Sequence, residues 1–531
     1  MTAGRRAQLC TWAGLILTLM LVTFVRCRLA AMPLERDEGE YACAGQLMLE
    51  GIPPYRIVYN MKFPGVYAAY ALILKTFGQT CTGIHLGILL VNAANIVLLF
   101  VLTRRMWNPW AALAAALIFA LMTMDRASLG MAGHATHFVV LFELLGLVVL
   151  TGATAVINPS VRPIWKYFLA GILLGLCVVM KQPGAAFVFF ALVWVAIKQR
   201  RILSKWSLAL GAGAAAVLLL MCLGLGCAGV FGRFWFWTID YARYYGSQVW
   251  ISQAPQQFLA AFARLTQDSF GLWALAIAGL VLGWTVKAQR DAMNFVLLLS
   301  LFSFLAVSAG FYYRPHYFIL LMPAAAMLAA AALNALATHL NRLYPVLGGS
   351  TCAILCTIAV SFLLVRQHKF LFEMSPEAAC REVYTSNSFP ECPVVGEYLA
   401  SHTDPRDTIA VFGSEPQIYF YAHRLPATGY IYTYGLMEIQ PYALQMQQEM
   451  AREISAANPR YIVVVNDYNS WAWDQRSVGW IFDWFVEYKK QFEVVKTFDT
   501  GADRQAYFDR GEITRLPAIS SSLQILRRKE R

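Results

Sequence analysis

PLERDEGEYACAGQLMLEGIPPYRIVYNMKFPG, residues 33–65, decides how the rest of the chain is read. It follows an apolar run long enough to cross a bilayer, yet gathers acids, tyrosines and a lysine where a plain connection would simply turn round. Pro33 precedes a predicted helix with Asp37 at its start and Glu40 three residues later, a variant of the capping-box pattern; Gly51 and Pro53-Pro54 end it. Asp37, Glu40, Tyr41 and Ala44 share one face, while Leu47 and Leu49 can dip toward lipid. The spacing therefore predicts an amphipathic helix lying on a membrane surface, and a second from Pro64 to about Gly78. Two readings of Asp37 stay open from these residues: a helix N-cap, or a carboxylate at the water–lipid boundary that orients or deprotonates a nucleophile, with Glu38 as a second acid. Lys62 likewise suits either a phosphate anchor or a snorkelling side chain.

Composition supports the membrane setting. Of 531 residues, 58% are apolar and 14% charged, against roughly 25% charged in a soluble domain. Eleven spans are predicted near 10–31, 84–103, 109–124, 137–156, 168–181, 183–197, 207–229, 270–286, 292–310, 318–338 and 346–365. The fifth and sixth are short and split by MKQPGA around Pro183, which leaves open one kinked helix or a pair of half-spanning helices and, with it, the downstream topology. With the N-terminus inside, the inner turns hold Arg5/Arg6, Arg104/Arg105, Arg162/Lys166, the cluster Lys198, Arg200, Arg201 and Lys205, then Lys287/Arg290 and Arg342, a positive-inside pattern. Arg26, Arg28, Arg56, Lys62, Arg233, Arg243 and Arg314 then fall outside, and an anionic ligand on that face is one reason for them. The net charge of +12 reads as loop cations near anionic headgroups; no nucleic-acid motif is present. The N-terminal run is long, lacks a small-residue cleavage site and is read as a first helix.

Cys177, Cys222, Cys227, Cys352 and Cys356 sit in apolar spans as small hydrophobes, whereas Cys43 with Cys81 and Cys380 with Cys392 fall outside and are candidates for disulfides. Beyond residue 365 the spans stop, so the chain divides into a membrane module over 1–365, with a first outer loop at about 33–83, and a soluble part over 366–531. There DTIAVFG and RYIVVVND read as buried strands around the helical YALQMQQEMAREISAANP, a small α/β domain.

Further candidates lie in later loops. FYYRPHYFILLMP, Phe311–Pro323, offers Arg314 for bidentate phosphate binding and His316 as a donor or proton shuttle; an interfacial anchor has the same composition. Lys181 adds positive charge on that side. IDYARYYGSQVW, Ile239–Trp250, brings Asp240, Arg243 and Tyr244 as sugar or acceptor contacts, or a loop on headgroups. His134 and His137 are spaced i, i+3, but a metal needs more ligands than that stretch supplies, and Asp125 and Arg126 before them suit a mutual pair. No phosphate-cradling glycine loop, nucleophile elbow or zinc-protease helix occurs, which disfavours soluble nucleotide chemistry.

DEGEYA, GIPPY and KFPG in the first loop, with RPHYFILLMP before a late span, resemble the polyprenyl-phosphate-sugar-dependent GT-C glycosyltransferases, in particular the protein O-mannosyltransferase and aminoarabinose transferase (glycosyltransferase family 39-like) superfamily, over about Thr11–Thr338. That resemblance implies a polytopic α-helical GT-C module with an extracytoplasmic C-terminal α/β domain, in a bacterial inner membrane. It implies Asp37 as catalytic carboxylate with Glu38 alongside, and Tyr41 and Lys62 as donor-phosphate contacts beside Lys181, Arg314 and His316. The expected chemistry is inverting transfer of a sugar from a polyprenyl-phosphate donor to a lipid, glycan or protein acceptor, with no certain cofactor. Relatives often carry Glu-Lys-Pro-Pro where this chain has Met61-Lys62-Phe63-Pro64, so metal dependence stays open. A transporter or flippase for an anion is the main alternative, and a scaffold with a partner-binding outer domain a third; against transport, acids concentrate in a loop and charges are sparse in the spans.

Overall fold

The computed structural model describes residues 3–154, 163–344, 347–385, 387–499 and 522–530; Arg162 of the expected inner turn lies outside them. Along the chain run α1 (Ala3–Arg28), α2 (Arg36–Leu49), α3 (Pro64–Phe77), α4 (Cys81–Met106), α5 (Pro109–Met124), α6 (Ala135–Thr154), α7 (Ile164–Met180), α8 (Ala185–Gln199) and α9 (Lys205–Cys227). Two short helices, α10 (Phe231–Trp235) and α11 (Ala242–Gly246), flank a π-helical turn at Phe236–Tyr241. Then come α12 (Ala254–Thr266), α13 (Phe270–Leu282), α14 (Arg290–Val307), α15 (Met322–Leu343) and α16 (Leu347–Arg366). Each expected span overlaps a helix, and among the described residues eight helices are long and apolar enough to cross a membrane; residues 109–124, 164–180 and 270–285 form shorter apolar ones. The stretch at 168–197 is two helices, α7 and α8, separated at Lys181 by a 3-10 turn, Gln182–Gly184.

Local chemistry sets the helix starts. Thr80 caps α4 by accepting the Gly83 N–H, Asn108 caps α5 by accepting those of Trp110 and Ala111, and Ser204 caps α9. Gly171 on α7 lets α9 come close: a Cβ there would lie 2.0 Å from the Leu210 carbonyl oxygen. The alanine run Ala324–Ala332 of α15 is enclosed, whereas Leu219, Leu220 and Leu223 of α9 and Ile354 and Ile358 of α16 are exposed, as lipid-facing side chains would be.

The C-terminal sheet domain carries α17 (Pro376–Tyr384), α18 (Cys392–His402), α19 (Gln417–Ala422), α20 (Tyr434–Met437) and α21 (Ala443–Ala457) among β1 (Thr408–Phe412), β2 (Leu425–Pro426), β3 (Tyr461–Asn466), β4 (Phe492–Asp499) and β5 (Ser522–Arg528). The order is β2-β1-β3-β5-β4, with β2, β1 and β3 parallel and β5 antiparallel to both neighbours. The expected strands are β1 and β3 and the expected helix is α21, which ends on Asn458 in the left-handed region.

This domain rests on α2. Gly39 abuts α19 so closely that a Cβ would lie 2.6 Å from the Gln417 backbone nitrogen. Beside it the Arg36 guanidinium donates to the Ser414 carbonyl (2.6 Å), the Tyr434 hydroxyl (2.8 Å), Asn387 Oδ1 (3.3 Å) and Glu415 Oε1 (2.8 Å). Glu415 is fully buried and takes the Ser470 hydroxyl proton on its other oxygen at 2.5 Å.

Three expectations are corrected. The cysteines are all free: Cys81 Sγ donates to the Met32 carbonyl, Cys43 is buried, and Cys380 and Cys392 face the carbonyls of Pro33 and Ser388, so neither expected pair is formed. Most cations that break the charge rule serve the fold instead of a ligand. Arg26 donates to the carbonyls of Thr123, Gly130 and Met131; Arg28 to those of Phe370, Leu371 and Met374; Arg56 to that of Ala228; and Arg233 pairs with Glu449. Guanidinium groups satisfy backbone oxygens that a chain turn leaves without partners. Arg126, read as the partner of Asp125, pairs with Asp268 and Glu382.

Candidate functional site

Where α2 begins, a cavity of about 560 Å³ opens between the first loop, the 237–246 segment, the 309–317 segment and residues 432–438 of the sheet domain. Its acid is selected by the cap of α2. Glu35, not Asp37, is the N-cap: its Oε1 accepts the Glu38 N–H at 2.9 Å, and Glu38 Oε2 accepts the Glu35 N–H at 3.4 Å. Capping therefore leaves Asp37 free, in the first turn where the helix dipole favours a carboxylate. Glu38 turns the other way and is fully buried, its Oε1 accepting the Gly133 N–H at 2.5 Å and lying 3.2 Å from His85 Nε2. Of the Asp37–Glu38 pair, Asp37 lines the cavity, together with Glu35, and the structure does not bring Glu38 to it.

Lys62 reaches Asp37 from the far end of the first loop. Its Nζ donates to Asp37 Oδ1 and to Glu40 Oε2, both at 2.7 Å, and lies 4.6 Å above the Tyr41 ring and 5.3 Å from that of Tyr432. Burial pushes the Asp37 carboxyl up, but the Lys62 ammonium, and after it His134, hold it well below the usual carboxylate range. Asp37 is ionised by its setting.

Two histidines close this wall. His134 Nδ1 and His316 Nε2 each lie 4.0 Å from Asp37 Oδ2, and the rings stack with centroids 4.0 Å apart and planes 11° apart. Burial lowers His134 to about 4 and takes His316 well below its ordinary value, so both are neutral.

Lys181, Arg314 and Arg243 also line the cavity and, among the described residues, form no ion pair. Lys181 sits in the break after α7 with its Nζ 4.0 Å from the Tyr317 ring centre; burial lowers its ammonium to about 7, with Lys62 and Arg314 adding to the shift and Asp37 opposing it. Arg314 stacks near Tyr312, and its charge is strengthened first by Tyr245. The π-helical turn presents Trp237, Ile239 and Tyr241 to the cavity, while Asp240 and Tyr244 point elsewhere, Tyr244 packing on Tyr442. Tyr241 donates its hydroxyl to Glu438, an acid of the sheet domain on the opposite side.

Glu35, Glu40, His134, Tyr432, Tyr434 and Glu438 were not singled out as site residues by their local sequence. The tyrosine-rich GYIYTYGLMEIQ, Gly429–Gln440, was the available signal for the last three. His134 invited pairing with His137, but α6 begins between them and its partner comes from a distant segment.

Asp37, His134 and His316 each offer a ligand atom within 4.8 Å of the others, which raises the question of a metal. They do not fit one as arranged. An imidazole binds an ion in its own plane, along the nitrogen lone pair, and two stacked rings with nearly parallel planes cannot both address one ion. The Lys62 ammonium, moreover, already lies on Asp37.

This architecture, a bundle of apolar helices with a buried first-loop helix and a C-terminal sheet domain around a polar cavity, is the GT-C fold. It superposes on ArnT from Cupriavidus metallidurans bound to undecaprenyl phosphate with a TM-score of 0.57 and 13% identity over 96% of this chain and 97% of that one. An oligosaccharyltransferase of Archaeoglobus fulgidus, tethered to an acceptor peptide, gives 0.51 at 13% identity over 86% of this chain and 69% of that one. In sequence, residues 62–223 match the family described as dolichyl-phosphate-mannose-protein mannosyltransferase. An undecaprenyl phosphate-alpha-4-amino-4-deoxy-L-arabinose arabinosyl transferase of Pseudomonas aeruginosa is 28% identical over 289 residues, 52% of this chain and 51% of that protein. The chain spans about half the length of the curated relatives it matches.

Proposed function

We propose that this protein is a membrane glycosyltransferase that moves a sugar from a polyprenyl-phosphate-linked donor to a hydroxyl acceptor, with Asp37 as the catalytic carboxylate and inversion at the anomeric carbon. The observation that carries it is the placing of an ionised acid, Asp37, with a group of cations that form no ion pair among the described residues, Lys181, Arg314 and Arg243, in one aromatic-walled cavity. The cations suit a lipid phosphate, and the Cupriavidus ArnT that shares this fold is bound to such a ligand, undecaprenyl phosphate.

On this reading the donor's phosphate lies against Lys181 and Arg314, with Trp237 and the tyrosines around the sugar. The acceptor oxygen attacks opposite the phosphate as Asp37 takes its proton; the bond from the anomeric carbon to the phosphate oxygen breaks, and its electron pair leaves with the lipid phosphate. The cations stabilise the second negative charge that appears there, and the oxocarbenium-like transition state faces anionic Asp37. Lys62 holds Asp37 rather than the phosphate, because two carboxylates engage it. We place the site and the sheet domain on the extracytoplasmic face of a bacterial inner membrane, with the soluble part starting at about residue 366; the basic inner turns and the bacterial relatives support this.

The test is transfer of radiolabelled sugar from short-chain polyprenyl-phosphate donors to membrane extracts by purified protein. Donor consumption with labelled product supports the reading. Absence of turnover across pentose and hexose donors, with uptake of the same donors into liposomes, would overturn it in favour of transport.

A further inference from the structure

Behind Asp37 lies an acid that the reaction above does not use. Glu40 is fully buried and absent from the cavity wall, yet it is tied to the cavity through Lys62. Its Oε2 accepts from Lys62 Nζ at 2.7 Å and from Asn60 Nδ2 at 2.8 Å, and its Oε1 accepts from the Tyr67 hydroxyl at 2.5 Å. One ammonium thus bridges a carboxylate that faces substrate and a carboxylate that does not. Two acids against one cation leave a formal charge of −1 in a site walled by Tyr41, Tyr55 and Tyr67. Burial penalises that charge, and one added proton removes it.

We propose that Glu40 is a positioning residue that holds the acceptor's proton during sugar transfer, receiving it from Asp37 through Lys62. The proposal rests on the transferase reading. As the bond from the acceptor oxygen to the anomeric carbon forms and the bond to the phosphate oxygen breaks, the acceptor proton passes to Asp37. Asp37 gives a proton to Lys62 Nζ while Nζ gives one to Glu40 Oε2, so Lys62 remains an ammonium, Asp37 is again a carboxylate and Glu40 is a neutral acid. The electron pair leaves with the phosphate, and the count of protons and charge is unchanged.

The surroundings of the two acids favour this direction. Burial pushes Glu40 above the usual carboxylate range; Lys62 and the Tyr67 hydroxyl oppose this and Asp37 adds to it, while Asp37 itself is held below that range. The other titratable groups facing Glu40 are the hydroxyls of Tyr41 and Tyr55 and the Cys43 thiol, all raised by burial and so neutral. Lys62 is the one cation acting on Glu40 within the described residues.

Two measurements test this, on purified full-length protein with wild type, Glu40→Gln, Glu40→Asp and Asp37→Asn. The first is an infrared pH titration of the carboxylic-acid carbonyl stretch, which needs no substrate. Glu35, Asp125 and Glu438 are also raised by burial and, with the buried Glu143, contribute to that band, so the readout is the wild-type-minus-Glu40→Gln difference. A component that titrates above the usual carboxylate range, is lost in Glu40→Gln and is kept in Asp37→Asn is expected; a difference spectrum without such a component overturns the proposal. The second is kcat against pH in the donor assay. As pH falls, Glu40 fills before the reaction and the rate declines. In Glu40→Gln only Asp37 can take the proton, so kcat falls by about tenfold or more and the acid limb moves to lower pH, while Glu40→Asp keeps the limb and excludes a failure of folding. A fall in kcat with an unmoved limb shows a packing role and overturns the proposal. No turnover by wild type on any donor overturns the transferase reading and with it the proton's source, whereas the infrared arm decides separately whether Glu40 is the protonated acid.

Discussion

Replacing Arg36 by Met should loosen the sheet domain from the membrane bundle. Arg36 makes four hydrogen bonds, all to the sheet domain, at Asn387, Ser414, Glu415 and Tyr434, and its guanidinium also stacks 5.3 Å from the rings of Phe389 and Tyr434. Glu415 has no exposed side-chain surface, and Arg36 is its ion-pair partner among the described residues. The substitution keeps the apolar stem but leaves a buried carboxylate without a counter-charge, a defect worth about 3–5 kcal/mol. At about 1.4 kcal/mol per factor of ten, local opening should become about a hundred- to a few-thousand-fold more frequent. Hydrogen–deuterium exchange of peptides covering residues 33–40 and 411–418 reads that ratio directly. Arg36→Met with Glu415→Gln should lose less than Arg36→Met alone, because no unpaired charge remains. An increase below about fivefold, close to 1 kcal/mol, would show that this ion pair does not hold the two parts together.

Asp37→Asn should lower kcat by about 10²- to 10⁴-fold, the range for loss of a general base, with little change in thermal stability because Glu40 still pairs with Lys62; a kcat within threefold of wild type refutes the role given to Asp37. Lys181, lowered by burial to about 7, should bind phosphate in its protonated form. Affinity for polyprenyl phosphate should therefore fall as pH rises through that value, by up to about tenfold per unit, and Lys181→Arg should abolish this alkaline limb; the same limb in Lys181→Arg would assign it to another group. Since the unfolded lysine keeps its proton to about 10.4, the same shift makes this residue's contribution to stability rise between pH 7 and 10, which melting curves of Lys181→Met against wild type can check. Chelation by EDTA should leave the transfer rate unchanged, given the stacked planes of His134 and His316; a loss restored by added Zn²⁺ or Mn²⁺ would mean that the rings turn to bind an ion.

Much of the fold was legible because its signals are local. Each apolar run from α1 to α16 partitions into lipid by its own composition, and β1, β3 and α21 declare themselves through short apolar strands and helical periodicity. The first loop was legible as a polar cluster too, since acids, tyrosines and Lys62 collect there between apolar runs. Strands β2, β4 and β5 were not anticipated: β2 is a two-residue strand, and β4 is a half-exposed edge whose pairing with β5 carries a bulge, so neither shows a clean alternation.

The sequence by itself determined a membrane bundle, an acid-bearing helix after the first span, and an α/β tail, because hydropathy and periodicity are properties of contiguous residues; the expected surface position of that helix is corrected, since α2 is enclosed from Glu38 to Leu47 between α3 and the sheet domain. Tertiary structure alone decided which of Asp37 and Glu38 faces the cavity, since Glu35 rather than Asp37 caps α2 and Glu38 turns inward onto Gly133 and His85. It also decided which cations are already engaged: Arg26 and Arg28 by backbone oxygens and Lys62 by two carboxylates, while Lys181, Arg314 and Arg243 line the cavity without an ion pair among the described residues. A charge's partner is set by a few ångströms of space between segments far apart in the chain, and no local pattern carries that distance.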